Sequence, residues 1–337
     1  MRWGTTAALV IGVAAVIAAV VYAGAGAVAH AITGLRISGL AVLALLHLPV
    51  VVLMGLAWWF AAGAHPPASR ARFVWARFIR DAAGELLPFL HLGGVAFGVR
   101  ALGRGRALLV GAASASIDGI IELTAKLPYV LAALLALLAL APQSRLSRPL
   151  ALALAATAVF VLILLLNRRF ISASLEAMLW AVRGRWPVLL SLDDSEASEG
   201  VRACFDRILS RPMRLGWSLA LHLLCWFLGA AETWVTFRLL GIDLGPWQAL
   251  AIDGTVLGLR TFGWMVPAAA GVQEGSYLLA AAVFGISPAA ALAASFARRA
   301  RDLLLGVGVL AIAFFGDAGF SPLTLTALIE RQRSRAR

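Results

Sequence analysis

Residues 264–275 read Trp-Met-Val-Pro-Ala-Ala-Ala-Gly-Val-Gln-Glu-Gly and interrupt an otherwise apolar stretch. A second interruption, Glu-Leu-Leu-Pro-Phe-Leu-His-Leu-Gly-Gly, occupies residues 85–94. Both are followed by the same text near the start of a long apolar run, as Ala112-Ala113-Ser114 and as Ala293-Ala294-Ser295. Paired interrupted segments in corresponding halves of a membrane protein indicate a transporter-type site. We therefore expect a lipid or solute carrier.

Proline and glycine explain why the two segments break. Proline prevents a continuous helix, and glycine permits a tight turn and a close approach of backbone. We expect the broken-helix turns to contain Pro88, Gly93, Gly94, Pro267, Gly271 and Gly275. Unwound backbone at membrane depth is tolerated only where it is buried or lines a wet cavity.

The composition is that of a membrane protein. The chain is 61% hydrophobic with a mean hydropathy of +0.89, well above the values of soluble domains. Its net charge is +12, and Lys126 is the only lysine. Because the arginines lie between apolar runs, we expect anionic lipid headgroups as partners and no nucleic acid.

Apolar runs predict an all-α polytopic membrane protein with about six full spans. The runs lie at about 5–28, 38–62, 107–140, 149–166, 214–240 and 288–316, and each is long enough to cross the bilayer. Two shorter broken segments lie at about 84–99 and 248–284. An alternative for the second is two separate thin spans, 248–262 and 265–284.

The arginine distribution predicts the orientation. Arginines before the first span, after the second, after the fourth and at the end of the chain fall on one side, which we predict to be cytoplasmic; Arg145 and Arg148 are exceptions. Both termini are then cytoplasmic and the two halves are inverted. We predict a first repeat at 1–140, a second at 141–316 with an amphipathic cytoplasmic insert at 167–213, and a basic tail at 317–337.

Ionisable residues at membrane depth are the candidates for a headgroup cavity, because burying a charge in lipid is costly. Asp118, Glu122 and Lys126 are spaced four apart and share a helix face. The candidate cavity residues are Asp118, Glu122, Glu274, Arg298, Arg299, Arg301 and Asp302. In one interpretation the acids and bases pair across the repeat interface; in the other, arginines bind a headgroup and the acids position them. We expected Asp253 and Arg260 to form a local pair, and Glu232 to lie near the outer end of its span.

Motifs for catalysis and cofactor binding are missing from the sequence. The five histidines are scattered without metal or nucleophile spacing, and Cys204 and Cys225 have no redox spacing. We therefore predict no catalytic residues, no metal and no cofactor.

The second broken segment and the helix after it carry a resemblance to a known family. The residues are Val266-Pro267, Gly271-Val272-Gln273-Glu274-Gly275, Ser287-Pro288 and Arg298-Arg299-Ala300-Arg301-Asp302, with Ala268 and Ala269 in place of two glycines. They resemble the flippase-like membrane domain of lysylphosphatidylglycerol synthases, and most of all its hopanoid-biosynthesis-associated branch. Leu87-Pro88 to Gly93-Gly94 and Asp118 to Glu122 resemble the first half of that domain.

The resemblance implies lipid translocation in the bacterial inner membrane. The family's aminoacyl-transferring soluble domain would need several hundred further residues, so we expect no enzyme activity of this chain. The expected cargo is a hopanoid, a polyisoprenoid or a phospholipid headgroup. Alternatives are a non-transporting scaffold that binds lipid-biosynthesis enzymes and a proton-coupled small-solute carrier.

Overall fold

The computed structural model describes residues 2–86, 91–103, 106–167, 169–175, 177, 200–261 and 269–316. Every regular element within these residues is a helix. The predicted fold class, an all-α polytopic membrane protein, is confirmed. Pro88, Pro267 and most of the predicted insert at 167–213 lie outside the described residues, as does the basic tail.

The helices follow the apolar runs closely. They are α1 (Arg2–Ala23), α2 (Ala25–Ala61), α3 (Arg70–Leu86), α4 (His91–Leu102), α5 (Arg106–Leu140), α6 (Ser147–Leu166), α7 (Gly200–Leu209), α8 (Pro212–Leu239), α9 (Pro246–Arg260), α10 (Val272–Ala282) and α11 (Pro288–Gly316). Two irregular points lie in this region. Gly24, inside the first predicted span, has φ 82° and separates α1 from α2, and Arg36, between the first two predicted spans, leaves the helical conformation inside α2.

Among the described residues, four helices are both long and apolar enough to cross a membrane. They are α2, residues 107–140 of α5, α6 and α8. Helix α11 is also long, at 29 residues, but its arginines and Asp302 lower its hydropathy. Of α1, residues 13–23 form a shorter apolar stretch. Helix α6 presents many exposed apolar side chains, including Leu152, Phe160 and Leu166, which suits contact with lipid.

Both predicted broken segments are helical hairpins, in which α3 packs on α4 and α9 packs on α10. Gly271 lies in the turn before α10 with φ 77°, a conformation that glycine adopts without strain. Gly93, Gly94 and Gly275 lie in the first turn of the second helix of their hairpin. The structure therefore places them beside the break and not in the unwound turn.

Gly94 has a packing role of its own. A Cβ at this position would stand 2.5 Å from the carbonyl oxygen of Arg80 and 2.9 Å from the amide nitrogen of Gly84. Because these are backbone atoms of α3, a side chain at residue 94 would push the two helices apart.

The described residues form two compact units. The first comprises Met1–Val50, Leu123–Leu162 and Leu223–Asp302, and the second comprises Val51–Glu122, Ile163–His222 and Leu303–Arg337. Tyr277, Phe237 and Ile252 are buried in a core of the first unit, and Trp58, Phe73 and Ile79 in a core of the second. The predicted repeats at 1–140 and 141–316 stay a prediction.

The recurring Ala-Ala-Ser text has a buried serine in each unit. In the second unit the indole of Trp58 donates to Ser114 Oγ at 3.0 Å. In the first unit the Gln273 amide donates to Ser295 Oγ at 3.0 Å, and Ser295 donates to Glu274 at 3.4 Å. Each serine thus bonds a buried residue of another helix.

We expect Gly94→Ala to lower the melting temperature of the purified protein in detergent, because overpacking a tight contact costs about 1–3 kcal/mol. Gly308→Ala is the matched control, since a Cβ there meets no atom within 4 Å. Equal melting temperatures for the two variants would contradict the close α3–α4 contact.

Candidate functional site

Buried charges gather in one place in each unit. We call the group on α8, α9, α10 and α11 of the first unit the α11 cluster, and the group on α3, α5 and α8 of the second unit the α5 cluster. The α11 cluster contains Glu232, Asp253, Glu274, Arg298, Arg299, Arg301 and Asp302, with His47 beside them. The α5 cluster contains Arg77, Arg80, Asp81, Asp118, Glu122 and His222.

The Arg299–Glu274 pair lies at the break before α10. Arg299 Nε donates to Glu274 Oε1 at 2.5 Å, and Nη2 donates to Oε2 at 3.2 Å. Glu274 Oε2 also accepts from the amide of Gly271 at 2.9 Å, which caps the start of α10. The glutamate side chain is fully buried, whereas that of Arg299 is 23% exposed. Arg299 also reaches the carbonyl of Ala269 at 3.4 Å, so this arginine links the turn to α11.

Asp253 is a buried acceptor with three donors. Arg298 Nη1 donates at 2.7 Å, Thr233 Oγ1 at 2.8 Å and Tyr129 Oη at 2.5 Å. A buried carboxylate is tolerated when it is paired and hydrogen-bonded in this way. The predicted local pair of Asp253 with Arg260 is therefore wrong as the main contact of Asp253, because Arg298 of α11 occupies its carboxylate.

Glu232 joins α8 to α2 and α11. Its carboxylate accepts from Arg301 and lies 2.9 Å from Nδ1 of His47. Arg301 also donates to Asp302 at 2.6 Å. Glu232 is buried, so our placement of this residue near the outer end of its span missed its part in the cluster.

The α5 cluster pairs carboxylates of α5 with arginines of α3. Arg80 donates to Asp118 Oδ2 at 3.0 Å, and Arg77 donates to Glu122 at 3.0 Å. Arg77 also donates to Asp81 at 2.9 Å within its own helix. On the other side of Asp118, Nε2 of His222 lies 2.8 Å from Oδ1. Asp118 and His222 are both fully buried.

The two clusters place their charges in opposite ways on the hairpin and on the long helix that follows it. In the α5 cluster the helical hairpin supplies arginines and the long helix after it supplies acids. In the α11 cluster the hairpin supplies the acids Asp253 and Glu274, and the long helix supplies arginines. The pairs Arg77–Glu122, Arg80–Asp118, Arg298–Asp253 and Arg299–Glu274 each join a hairpin to the helix that follows it.

Comparison with protein families agrees with this helical arrangement. The model of the lysylphosphatidylglycerol synthase TM region matches residues 8–309. The chain belongs to this family. Comparison with curated proteins found no match, and comparison with solved structures found none. Membership in this family indicates a multi-pass membrane protein with a function related to membrane lipids.

The structure pairs the predicted cavity residues as follows, and both sequence interpretations stay predictions. Glu274 pairs with Arg299, and Asp302 with Arg301. Asp118 and Glu122 pair with Arg77 and Arg80, which the charge count had assigned only to the cytoplasmic side. Lys126 lies over the ring of Trp226, at 5.3 Å. The signal that could have found the α3 arginines is their spacing of three, which puts them on one helix face.

Three residues of the α5 cluster have the spacing of metal ligands. Ligand atoms of Asp118, Glu122 and His222 lie within 4.8 Å of one another. Both carboxylates already accept from the guanidinium groups of Arg77 and Arg80, whose positive charge opposes a cation. We therefore interpret the group as a network of ion pairs.

The second unit also has a pocket with lining residues of its own. It is lined by Arg169, Ser172, Arg202, Phe205, Asp206 and Leu209. None of the predicted headgroup residues lines this pocket, and the predicted polar cavity stays a prediction.

The buried pair Asp253–Arg298 should show strong coupling. We expect Asp253→Asn and Arg298→Gln each to destabilise the protein by about 3–5 kcal/mol, because each leaves a buried charge without its partner. The double variant should cost less than the sum, as measured by denaturant or thermal unfolding in detergent.

A matched control is the pair Arg238–Asp243, which has a similar distance of 2.9 Å but side chains that are 51% and 86% exposed. Arg238→Gln should change stability little, because exposed pairs contribute little. Strictly additive effects at Asp253 and Arg298 would show that the two residues are not coupled.

Proposed function

We propose that this protein is a lipid translocase of the bacterial inner membrane, that both termini are cytoplasmic, and that it has no enzyme activity of its own. The cargo is a lipid whose headgroup carries a phosphate, and the arginines of α11 bind that phosphate. Family membership supports a function in lipid chemistry, and the contacts of Arg299 support the choice of residue.

The Arg299–Glu274 pair is the observation that carries the proposal. Glu274 is a buried carboxylate held by an arginine and by the amide at the start of α10. Such a constellation binds an anion of any kind, because helix N-termini and guanidinium groups both favour negative oxygens. The Glu274 carboxylate thus occupies an anion-binding position at which a phosphate would bind equally well.

Exchange of anions gives a physical route for the headgroup. A phosphate that enters the membrane loses its hydration shell, and a cation of the protein must replace the interactions that it lost. Arg299 is partly exposed while its partner is fully buried, so a phosphate can approach the guanidinium from the exposed side. Guanidinium binds carboxylate and phosphate by the same two-pronged geometry, so a phosphate can take over bonds of Arg299 while Glu274 keeps the Gly271 amide and the Ser295 hydroxyl as donors.

The partial exposure of Arg299 favours a phospholipid over a neutral hopanoid. Its guanidinium is 23% exposed while its carboxylate partner is fully buried, so this arginine offers a charged group to a ligand. A phosphate can accept from a guanidinium by two bonds, whereas a neutral polycyclic lipid has no such acceptor. Hopanoids and polyisoprenoids without phosphate are therefore the less favoured cargo.

Translocation should be measured in proteoliposomes with fluorescent lipids and dithionite quenching of the outer leaflet. We expect wild type to move fluorescent phosphatidylglycerol, and Arg299→Gln to lower the rate by at least tenfold, because the variant loses the cation that replaces the headgroup's water. Arg238→Gln, at an exposed pair, is the matched control and should keep the wild-type rate.

Two outcomes would contradict the proposal. Movement at the same rate in wild type, in Arg299→Gln and in protein-free vesicles would remove lipid translocation and favour the scaffold that binds lipid-biosynthesis enzymes. Equal movement of neutral and anionic lipids, unchanged in Arg299→Gln, would show that α11 does not bind the headgroup.

A further inference from the structure

The open pocket of the second unit lies between the helical segment 169–175, which follows α6, and helix α7. It encloses about 380 Å³, part of it open to solvent. Its lining residues on each helix are spaced by three, four or seven, which places them on one face of that helix. The pocket is therefore built where the faces of two helices meet.

The apolar sides of these two helices hold the pocket in place. Ile171 of the first helix packs in one core with Phe205 and Ile208 of α7, and α5 contributes Val110 and Ile117 to the same core. Phe205 and Ile208 are buried. Because α5 fixes the apolar faces of both helices, the polar side chains beside these faces line the pocket.

The pocket contains three charged side chains that do not pair with one another. Arg202 and Asp206 are four apart on α7, and Arg169 lies on the opposite wall. All three are exposed, and within the described residues none of them forms an ion pair. Exposed charges of opposite sign attract each other only weakly in water. Two cationic groups and one anionic group are therefore available to a ligand.

The pocket lies at the membrane surface. Helix α6 ends at Leu166 and α8 begins at Pro212, and both helices can cross a membrane, so the residues between them lie on one side of it. Trp217 of α8 stacks on Phe60 with ring centroids 6.4 Å apart, and tryptophan favours the headgroup region. Leu166 and Phe170 are 74% and 71% exposed. Exposed apolar side chains next to arginines favour a ligand with acyl chains over a soluble one.

We propose that this pocket binds a phospholipid headgroup of the phosphoethanolamine type. Arg169 and Arg202 donate to the phosphate oxygens, for which the planar fork of a guanidinium group is suited. The ammonium group of the headgroup donates to the carboxylate of Asp206. This carboxylate would repel a headgroup that carries only negative charge, and the ammonium removes the repulsion. The hydroxyl of Ser172 is not needed as a donor, because it already donates to the carbonyl of Arg169 at 3.0 Å.

A bound headgroup would connect the two walls of the pocket. Its phosphate bridges an arginine of the segment 169–175 and an arginine of α7, so binding should raise the melting temperature of the protein. None of the residues involved belongs to the α11 cluster or to the α5 cluster. The inference concerns binding alone and does not rest on the proposed translocation.

Binding is measured by native mass spectrometry of the full-length protein in detergent, with increasing amounts of short-chain phosphatidylethanolamine. Arg202→Gln and Arg169→Gln should each weaken binding by about tenfold or more, because each loses charge-assisted hydrogen bonds to the phosphate. Asp206→Asn should weaken binding of phosphatidylethanolamine and not that of phosphatidylglycerol. Arg211→Gln is the matched control, since Arg211 is an exposed arginine of the same connection that does not line the pocket; it should bind as wild type does.

Three results would each overturn part of the proposal or all of it. Equal affinity of wild type, Arg169→Gln and Arg202→Gln would show that the pocket does not bind the phosphate. Equal affinities for phosphatidylethanolamine, phosphatidylglycerol and phosphatidylcholine, unchanged in Asp206→Asn, would remove the recognition of the ammonium group. Soluble O-phosphoethanolamine that binds as tightly as the lipid would assign the pocket to a soluble ligand and overturn the assignment to a membrane lipid.

Discussion

The cost of placing charge in a low-dielectric interior governs this structure. An unpaired arginine or carboxylate at membrane depth is expensive, and the two clusters of the described residues together contain a dozen arginines and carboxylates. Each of the buried carboxylates described above has an arginine or a histidine within hydrogen-bonding distance. The pairs decide which helix faces which, because an apolar neighbour could not take the place of the opposite charge.

The broken hairpins make these pairs possible. A single continuous helix crosses each depth of the membrane only once. In a hairpin the chain reverses direction, so that a second helix packs against the first. Gly94 lets α4 approach the backbone of α3 closely. The arginines of α3 then bond the carboxylates of α5, the helix that follows this hairpin. At the second hairpin the turn itself takes part, since the amide of Gly271 and the carbonyl of Ala269 bond the Arg299–Glu274 pair. Irregular backbone is thus tolerated because its polar groups find charged partners.

Much of the fold could be predicted from the sequence, and the pairing could not. The apolar runs predicted α5 and α6 to within about two residues, and the Pro and Gly residues predicted a break in each broken segment. The helix α3, which forms the first arm of the first hairpin, was not predicted. Spacing also predicted that Asp118 and Glu122 share a face. It could not predict that this face meets Arg77 and Arg80, because the partner of a helix face depends on tertiary packing and the positive-inside count treats all arginines near a span alike. Glu232, Asp253 and His222 were missed for the same reason: each pairs with a residue at least 20 positions away.

The central claim is that an arginine of α11 exchanges its carboxylate for a lipid phosphate. Native mass spectrometry of gently purified protein tests it most directly, with wild type beside Arg299→Gln and with Arg238→Gln as the surface control. The account predicts that wild type and Arg238→Gln retain one class of phosphate-bearing lipid that Arg299→Gln loses. The same mixture of bulk lipids on all three proteins would contradict it and would leave the Arg299–Glu274 pair with a purely structural role.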